Sequence, residues 1–217
     1  MRVENHPEFV VVEGPIGVGK TSLAKRLAES FGSELLLEGA EENPFLERFY
    51  QDPKNAALPT QLFFLFQRAR QMQDIRQSDM FRPGRVADFL IEKDRMFAEL
   101  TLNGPELDLY NQIYDKMTLD APVPDLVIYL QAPVDVLRNR IARRGVQYEQ
   151  TIREDYLKRV ADSYMEFFYH YSSSPLLIVN ATEIDLASNE QDYQNLLHQV
   201  CTIRSGRHYF NPLPIAL

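Results

Sequence analysis

Cysteine is almost absent: Cys201 stands alone in 217 residues, which excludes an internal disulfide framework and suits a reducing compartment. A cytoplasmic protein is the expectation. Basic charge is also short, with 23 Lys and Arg against 31 Asp and Glu and a formal net charge of −8. With no basic footprint for a nucleic-acid backbone, a small-molecule substrate is expected rather than a polymer. Long apolar runs are missing as well. The opening MRVENHPEF holds no signal-like apolar core, and nothing later approaches the roughly 18 apolar residues of a membrane span. The chain is expected to be soluble and unprocessed, with no membrane partner. His6, His170, His198 and His208 are scattered and, with one cysteine, form no recognisable metal set. Repeats, low-complexity tracts and linkers are absent, so residues 1–217 read as one domain whose core needs no covalent staples.

What is present is a run of short apolar segments: EFVVVE (8–13), SELLLE (33–38), RVADFL (85–90), DLVIYLQ (125–131) and PLLIVN (175–180). Each is nearly continuous rather than alternating, as strands covered on both faces are. Helical stretches separate them, over 20–31, 43–51, 59–79, 93–119, 133–144, 152–171 and 189–203. The alternation predicts an α/β fold, a five-stranded parallel sheet flanked by helices. Asn43 before Pro44 places a capping side chain ahead of a proline at the first helical position, and Thr151 with Glu154 has capping-box spacing. Residues 204–217, rich in proline toward the end, read as a tail lying on the body or disordered.

Gly14, Gly19, Lys20 and Thr21 match G-x-x-x-x-G-K-[ST], after a strand and at the start of a helix, the setting this motif requires. The loop Gly14, Pro15, Ile16, Gly17, Val18, Gly19 turns backbone N–H groups toward phosphate oxygens. Lys20 then reaches the outer phosphates, while Thr21, followed by Ser22, offers a hydroxyl to Mg²⁺. A nucleoside triphosphate follows from this, but kinases and nucleotide switches bind one alike.

The second site must decide between them. Glu38 closes the second strand, where a parallel sheet opens to its ligand crevice, and can accept a hydroxyl proton; Glu41 and Glu42 are its rivals, and a solvated loop acid is the plainer reading. Gln61, Phe64, Leu65 and Arg68 share one helix face, which suits a planar base through amide and stacking contacts, or is a core stripe with polar ends. Asp88 is an acid inside an apolar strand, a place for metal or water near Thr21, and Asp94 can pair with Arg68; capping at a strand's end is the alternative for both. Arg138, Arg140, Arg143 and Arg144 precede Gly145. Of these, Arg140 and Arg144 share a face and can close as a lid over about 140–150, or simply complement the helix dipole. The aromatics Tyr156, Tyr164, Phe167, Phe168 and Tyr171 read as core or subunit interface.

Taken together, EGPIGVGKTSLA, EGAEENPFLERFY, TQLFFLFQRARQ, VADFLIEKDRMFA and RIARRGVQYEQ resemble the deoxynucleoside kinase family, in particular its bacterial deoxyadenosine and deoxyguanosine kinases, from about residue 8 to 180. The resemblance implies a P-loop kinase fold with a helical lid and a homodimer, with Mg·ATP as donor. It puts the general base for the sugar 5′-hydroxyl at Glu38, the partners of the 3′-hydroxyl at Tyr50 and Glu149, and the base-reading amide at Gln61. Arg68 with Asp94 then matches members that accept purines or deoxycytidine, so a purine deoxynucleoside is expected. Two positions depart from the family: Phe89 follows Asp88 where an arginine is usual, and Val146 follows Gly145 where another often stands. Both remove positive charge from the phosphoryl path, leaving Arg140 and Arg144 to supply it. Two rival readings are a nucleoside monophosphate kinase and a noncatalytic nucleotide-binding regulatory subunit. A GTPase-type switch is weaker, since no N-K-x-D motif occurs.

Overall fold

The computed structural model describes residues 5–76, 83–184, 186 and 189–211. In chain order the elements are β1 (Phe9–Glu13), α1 (Lys20–Phe31), β2 (Glu34–Leu36), α2 (Leu46–Gln51), α3 (Pro53–Arg76), β3 (Arg85–Ala87), α4 (Lys93–Thr101), α5 (Gly104–Met117), β4 (Leu126–Gln131), α6 (Val134–Arg144), α7 (Glu154–His170), β5 (Leu176–Asn180), α8 (Glu190–Thr202) and β6 (Arg207–Phe210). Single 3-10 turns occupy Ala40–Glu42 and Gln147–Thr151. The strands form one parallel sheet in the order β2-β3-β1-β4-β5-β6, with Val11 of β1 opposite both Ala87 of β3 and Val127 of β4.

The near-continuous apolar strands are covered on both faces. Alternate side chains of one strand feed different cores. Val10 and Val12 of β1 join Ile128 and Leu130 of β4, with Leu23, Leu27 and Leu196 from α1 and α8, on one face. Val11 joins Val127 and Tyr129, with Tyr164 and Phe168 from α7, on the other. Each such side chain, fully buried, is worth about 1.5–3 kcal/mol, so strands this short are held by what covers them. A third apolar cluster, including Phe49, Leu65 and Tyr110, knits α2, α3 and α5 into a wall beside the carboxyl ends of β2 and β3.

Six strands replace the five expected. The segment read as a tail contributes β6, an edge strand parallel to β5 with Leu176 opposite Arg207. Gly206, at φ 77, turns the chain into it, and the Arg207 guanidinium donates to the carbonyls of Tyr169 (3.0 Å) and Tyr171 (3.1 Å). Residues 212–217 of that tail lie outside the described ones.

Several boundaries also move. The expected helix 93–119 is two helices, because Gly104 (φ 45) and Pro105 break it after an extended Asn103. The helix expected from residue 59 starts at Pro53, with Pro59 inside it; the expected end at 77–79 is outside the described residues. Asn43 does not cap a helix beginning at Pro44. Its Oδ1 accepts from Phe45 N at 3.0 Å and its amide donates to Thr60 O, folding the turn that leads into α2 at Leu46. Nor do Thr151 and Glu154 form a capping box: Thr151 Oγ1 donates back to Tyr148 O, and α7 starts after an extended Arg153 with no side-chain cap.

Candidate active site

The carboxyl ends of β1, β2 and β3 supply the site. The chain leaves β1 through the phosphate loop, where Gly14, Gly17 and Gly19 have φ of 146, 83 and 108, values that L side chains rarely adopt. Lys20 folds back over this loop, its ammonium donating to Gly14 O at 2.8 Å. Burial lowers its pKa, while Glu13, Glu38 and Asp88 pull the other way. Thr21 Oγ1 donates to Asp88 Oδ2 at 2.5 Å, and Asp88 Oδ1 accepts from Glu38 N at 2.8 Å. Asp88 lies just past β3 rather than within it, and so ties the phosphate loop to the segment after β2.

Two cavities meet at the loop. The first, of about 440 Å³, is lined by Glu38, Tyr50, Gln61, Phe64, Arg68 and Glu149 among others. That is ample for a small organic ligand. The second, of about 590 Å³, lies over Val18, Gly19 and Ser22 against Arg140 and the segment after β5. Gly17, Lys20, Thr21 and Arg144 line both, so a donor in one and an acceptor in the other would touch across Lys20 and Thr21.

In the first cavity Glu38 is ion-paired to Arg68 and lies 2.9 Å from Lys93 Nζ. Burial opposes its ionisation, but Arg68, Lys93 and Lys20 outweigh that and hold its carboxyl well below the usual carboxylate range. Arg68 also pairs with Asp94, which is 0% exposed, and its guanidinium lies 4.8 Å over the Phe64 ring. Gln61 and Phe64 therefore face the cavity from α3, whereas Leu65 of the same expected face is core. Tyr50 stacks on Tyr148 with ring centroids 6.2 Å apart, and burial, followed by Tyr156 and Glu149, pushes its phenol pKa well up.

Arg140 and Arg144, expected to act together, are placed differently. Arg144 makes a bidentate pair with Glu149, Nε to Oε2 at 3.0 Å, at the junction of the two cavities. Arg140 instead donates to the carbonyls of Ala181 (2.7 Å), Val18 and Ile184, fixing one wall of the second cavity. Glu41 also lines the first cavity, while Glu42 accepts from the Gln67 amide. Of the aromatic stripe, Tyr164, Phe168 and Tyr171 are buried core, and Tyr156 and Tyr164 also line the first cavity.

Sequence reasoning missed Glu13 and Lys93. Glu13 is 0% exposed, and as an acid closing the apolar run of β1 it carries in the sequence much the signal that singled out Asp88. Phe89 is likewise 0% exposed, in the core cluster of Val11 and Tyr164, so it lends nothing to the cavity; positive charge arrives from Lys93 instead. Among the described residues no group of three or more His, Cys, Asp or Glu is placed to hold a metal, and no helix is long and apolar enough to cross a membrane.

A phosphate loop at the centre of a parallel sheet, with the ion-paired Glu38 in the cavity beside it, defines a P-loop phosphotransferase. The family is more particular. Residues 10–204 match the deoxynucleoside kinase family, and the chain belongs to it. It is 34% identical over 203 residues to a deoxyguanosine kinase of Bacillus subtilis, covering 90% of this chain and 97% of that one. Over 207 residues it is 28% identical to a deoxyadenosine kinase of Lactobacillus acidophilus (89% and 94% covered), and over 203 residues 28% identical to a deoxyadenosine/deoxycytidine kinase of B. subtilis (90% and 92%). A solved structure of deoxyadenosine kinase from M. mycoides with bound dATP superposes with a TM-score of 0.75 at 25% identity, covering 88% of this chain and 99% of that one. The protein is a deoxynucleoside kinase, a nucleotide-binding phosphotransferase of deoxynucleoside salvage.

Proposed function

We propose that the chain transfers the γ-phosphoryl group of Mg·ATP to the 5′-hydroxyl of a purine 2′-deoxynucleoside, deoxyadenosine or deoxyguanosine, with deoxycytidine the next candidate. The observation that carries this reading is the buried Arg68–Asp94 pair, which stands with Gln61 and Phe64 in the cavity that holds Glu38. A guanidinium fixed by a carboxylate presents N–H donors in one plane, matching acceptors on the edge of a purine or cytosine. Gln61 adds a donor and an acceptor, and Phe64 an aromatic face. The relatives, a deoxyguanosine kinase, a deoxyadenosine kinase and a deoxyadenosine/deoxycytidine kinase, support that choice of bases.

In this reading Glu38 accepts the 5′-hydroxyl proton as the oxygen attacks the γ-phosphorus; the bond from that phosphorus to the β–γ bridging oxygen breaks, and ADP leaves. Tyr50 and Glu149 hold the sugar 3′-hydroxyl. Lys20 and the loop N–H groups hold the donor, Arg144 reaches the transferring group, and Arg140 keeps the donor cavity in shape. Thr21 Oγ1 and Asp88 Oδ2, adjacent oxygens at the loop, suit Mg²⁺, a hard cation often held by one or two protein oxygens plus substrate phosphates. When bound it would neutralise charge on the β- and γ-phosphate oxygens. Two copies of the chain are inferred to associate through the outer surfaces of α3 and α5.

The test is ADP release from Mg·ATP with each deoxynucleoside, its ribose counterpart and its monophosphate as separate acceptors. Transfer to deoxyadenosine or deoxyguanosine is the expected result. Exclusive transfer to thymidine rejects the base assignment, and transfer only to monophosphates rejects the acceptor assignment.

A further inference from the structure

Lys93 is the least accessible cation of the site. Its side chain is 2% exposed, and its ammonium lies 2.8 Å from Glu13 Oε1 and 2.9 Å from Glu38 Oε1. Desolvating an ammonium is costly, so a lysine stays in such a place only with close anionic partners. Glu13 has other donors: Gly14 N at 2.8 Å, Leu90 N at 2.9 Å and Tyr164 OH at 2.9 Å. Hydrogen-bond satisfaction of Glu13 therefore does not account for the lysine. What the lysine adds is a bridge from the root of the phosphate loop to the carboxylate of the acceptor cavity.

Resting on the function proposed above, we propose that Lys93 is a positioning residue for phosphoryl transfer, anchored on Glu13 and holding the Glu38 carboxylate aimed at the acceptor hydroxyl. Three cations surround Glu38: Lys20, Arg68 and Lys93. Lys20 is shared with the donor phosphates and Arg68 with Asp94 and the base. Of the three, Lys93 alone keeps its hold on Glu38 while both ligands come and go. The groups facing Glu38 are Lys20 from α1, Tyr50 from α2, Arg68 from α3, Lys93 from α4, Tyr164 from α7, and Asp88, whose carboxylate accepts from the Glu38 backbone N–H. Glu149 reaches the same cavity from the turn before α7. Without Lys93 the Glu38 side chain keeps Arg68 as its one direct ion-pair partner, and the carboxylate is free to turn from the acceptor hydroxyl.

The experiment compares the full chain with Lys93→Met and with Glu13→Gln/Lys93→Met, which removes the buried charge pair together and leaves position 13 able to accept. Turnover and nucleoside KM are followed for each, beside Lys93→Arg, which keeps a cation between the two carboxylates. The expected result is a kcat lowered about tenfold or more in both methionine variants, with KM near that of the unaltered chain, and a kcat within a few-fold of the unaltered chain in Lys93→Arg. An unchanged kcat in either folded methionine variant, or a loss carried by KM instead, overturns the proposal. If neither methionine variant folds, Lys93→Arg decides: a kcat lowered about tenfold or more in that folded variant overturns it. Failure of the unaltered chain to phosphorylate any deoxynucleoside rejects the proposed function instead.

Discussion

Glu38 stands among three cations of the site, with Arg68 and Lys93 as direct partners and Lys20 close by. In the proposed reaction this carboxylate is the proton acceptor. Glu38→Gln keeps the shape and removes the base. Turnover is expected to fall about 10²- to 10⁴-fold, with deoxynucleoside affinity measured by calorimetry little changed. Full activity in that variant rejects Glu38 as the base.

At the scale of the element, the phosphate loop is held by close approach as much as by sequence motif. A Cβ at Gly14 would run into the Leu130 carbonyl oxygen and meet Val18 Cγ1 at 3.0 Å, whereas one at Gly19 would meet nothing within 4 Å. Both have positive φ, so both substitutions strain the backbone, but only Gly14→Ala adds a clash with β4. Overpacking costs about 1–3 kcal/mol, and each kcal/mol shifts melting by about 2–4 °C at this size. Calorimetry should therefore find Gly14→Ala melting lower than Gly19→Ala; equal melting points would remove the steric account. The same contrast explains what was legible in the sequence. The loop, β1, β4 and β5 are set by local chemistry, glycines and doubly buried apolar runs, and they stand within a residue or two of expectation. The break between α4 and α5 was legible in Gly104-Pro105, though helical periodicity across it hid it. β6 was not: four residues of an edge strand are fixed by pairing with β5, a partner far away in sequence. Lys93 escaped for a similar reason, since a lysine opening a helix reads as solvent-facing until the fold brings Glu13 and Glu38 to it.

For the whole molecule, α3 poses a problem of support. Its inner face carries Gln61, Phe64 and Arg68 into the acceptor cavity, while its outer face leaves Phe66 50% exposed; on α5, which packs against α3, Leu109 is 47% exposed. In the pairing proposed through α3 and α5, these two side chains would stand at the contact. A second copy placed there would brace α3 from behind and so fix the placement of Gln61, Phe64 and Arg68 in the cavity. Sedimentation is expected to give twice the chain mass of 25.2 kDa. Phe66→Glu, which sets a charge in the middle of that contact, is expected to give the single-chain mass and to raise the nucleoside KM more than it lowers kcat, because α3 loses its backing while Glu38 and the phosphate loop do not. A monomer in the unaltered protein, or a Phe66→Glu variant that still sediments as a pair, would place the contact elsewhere and leave α3 supported by the fold alone.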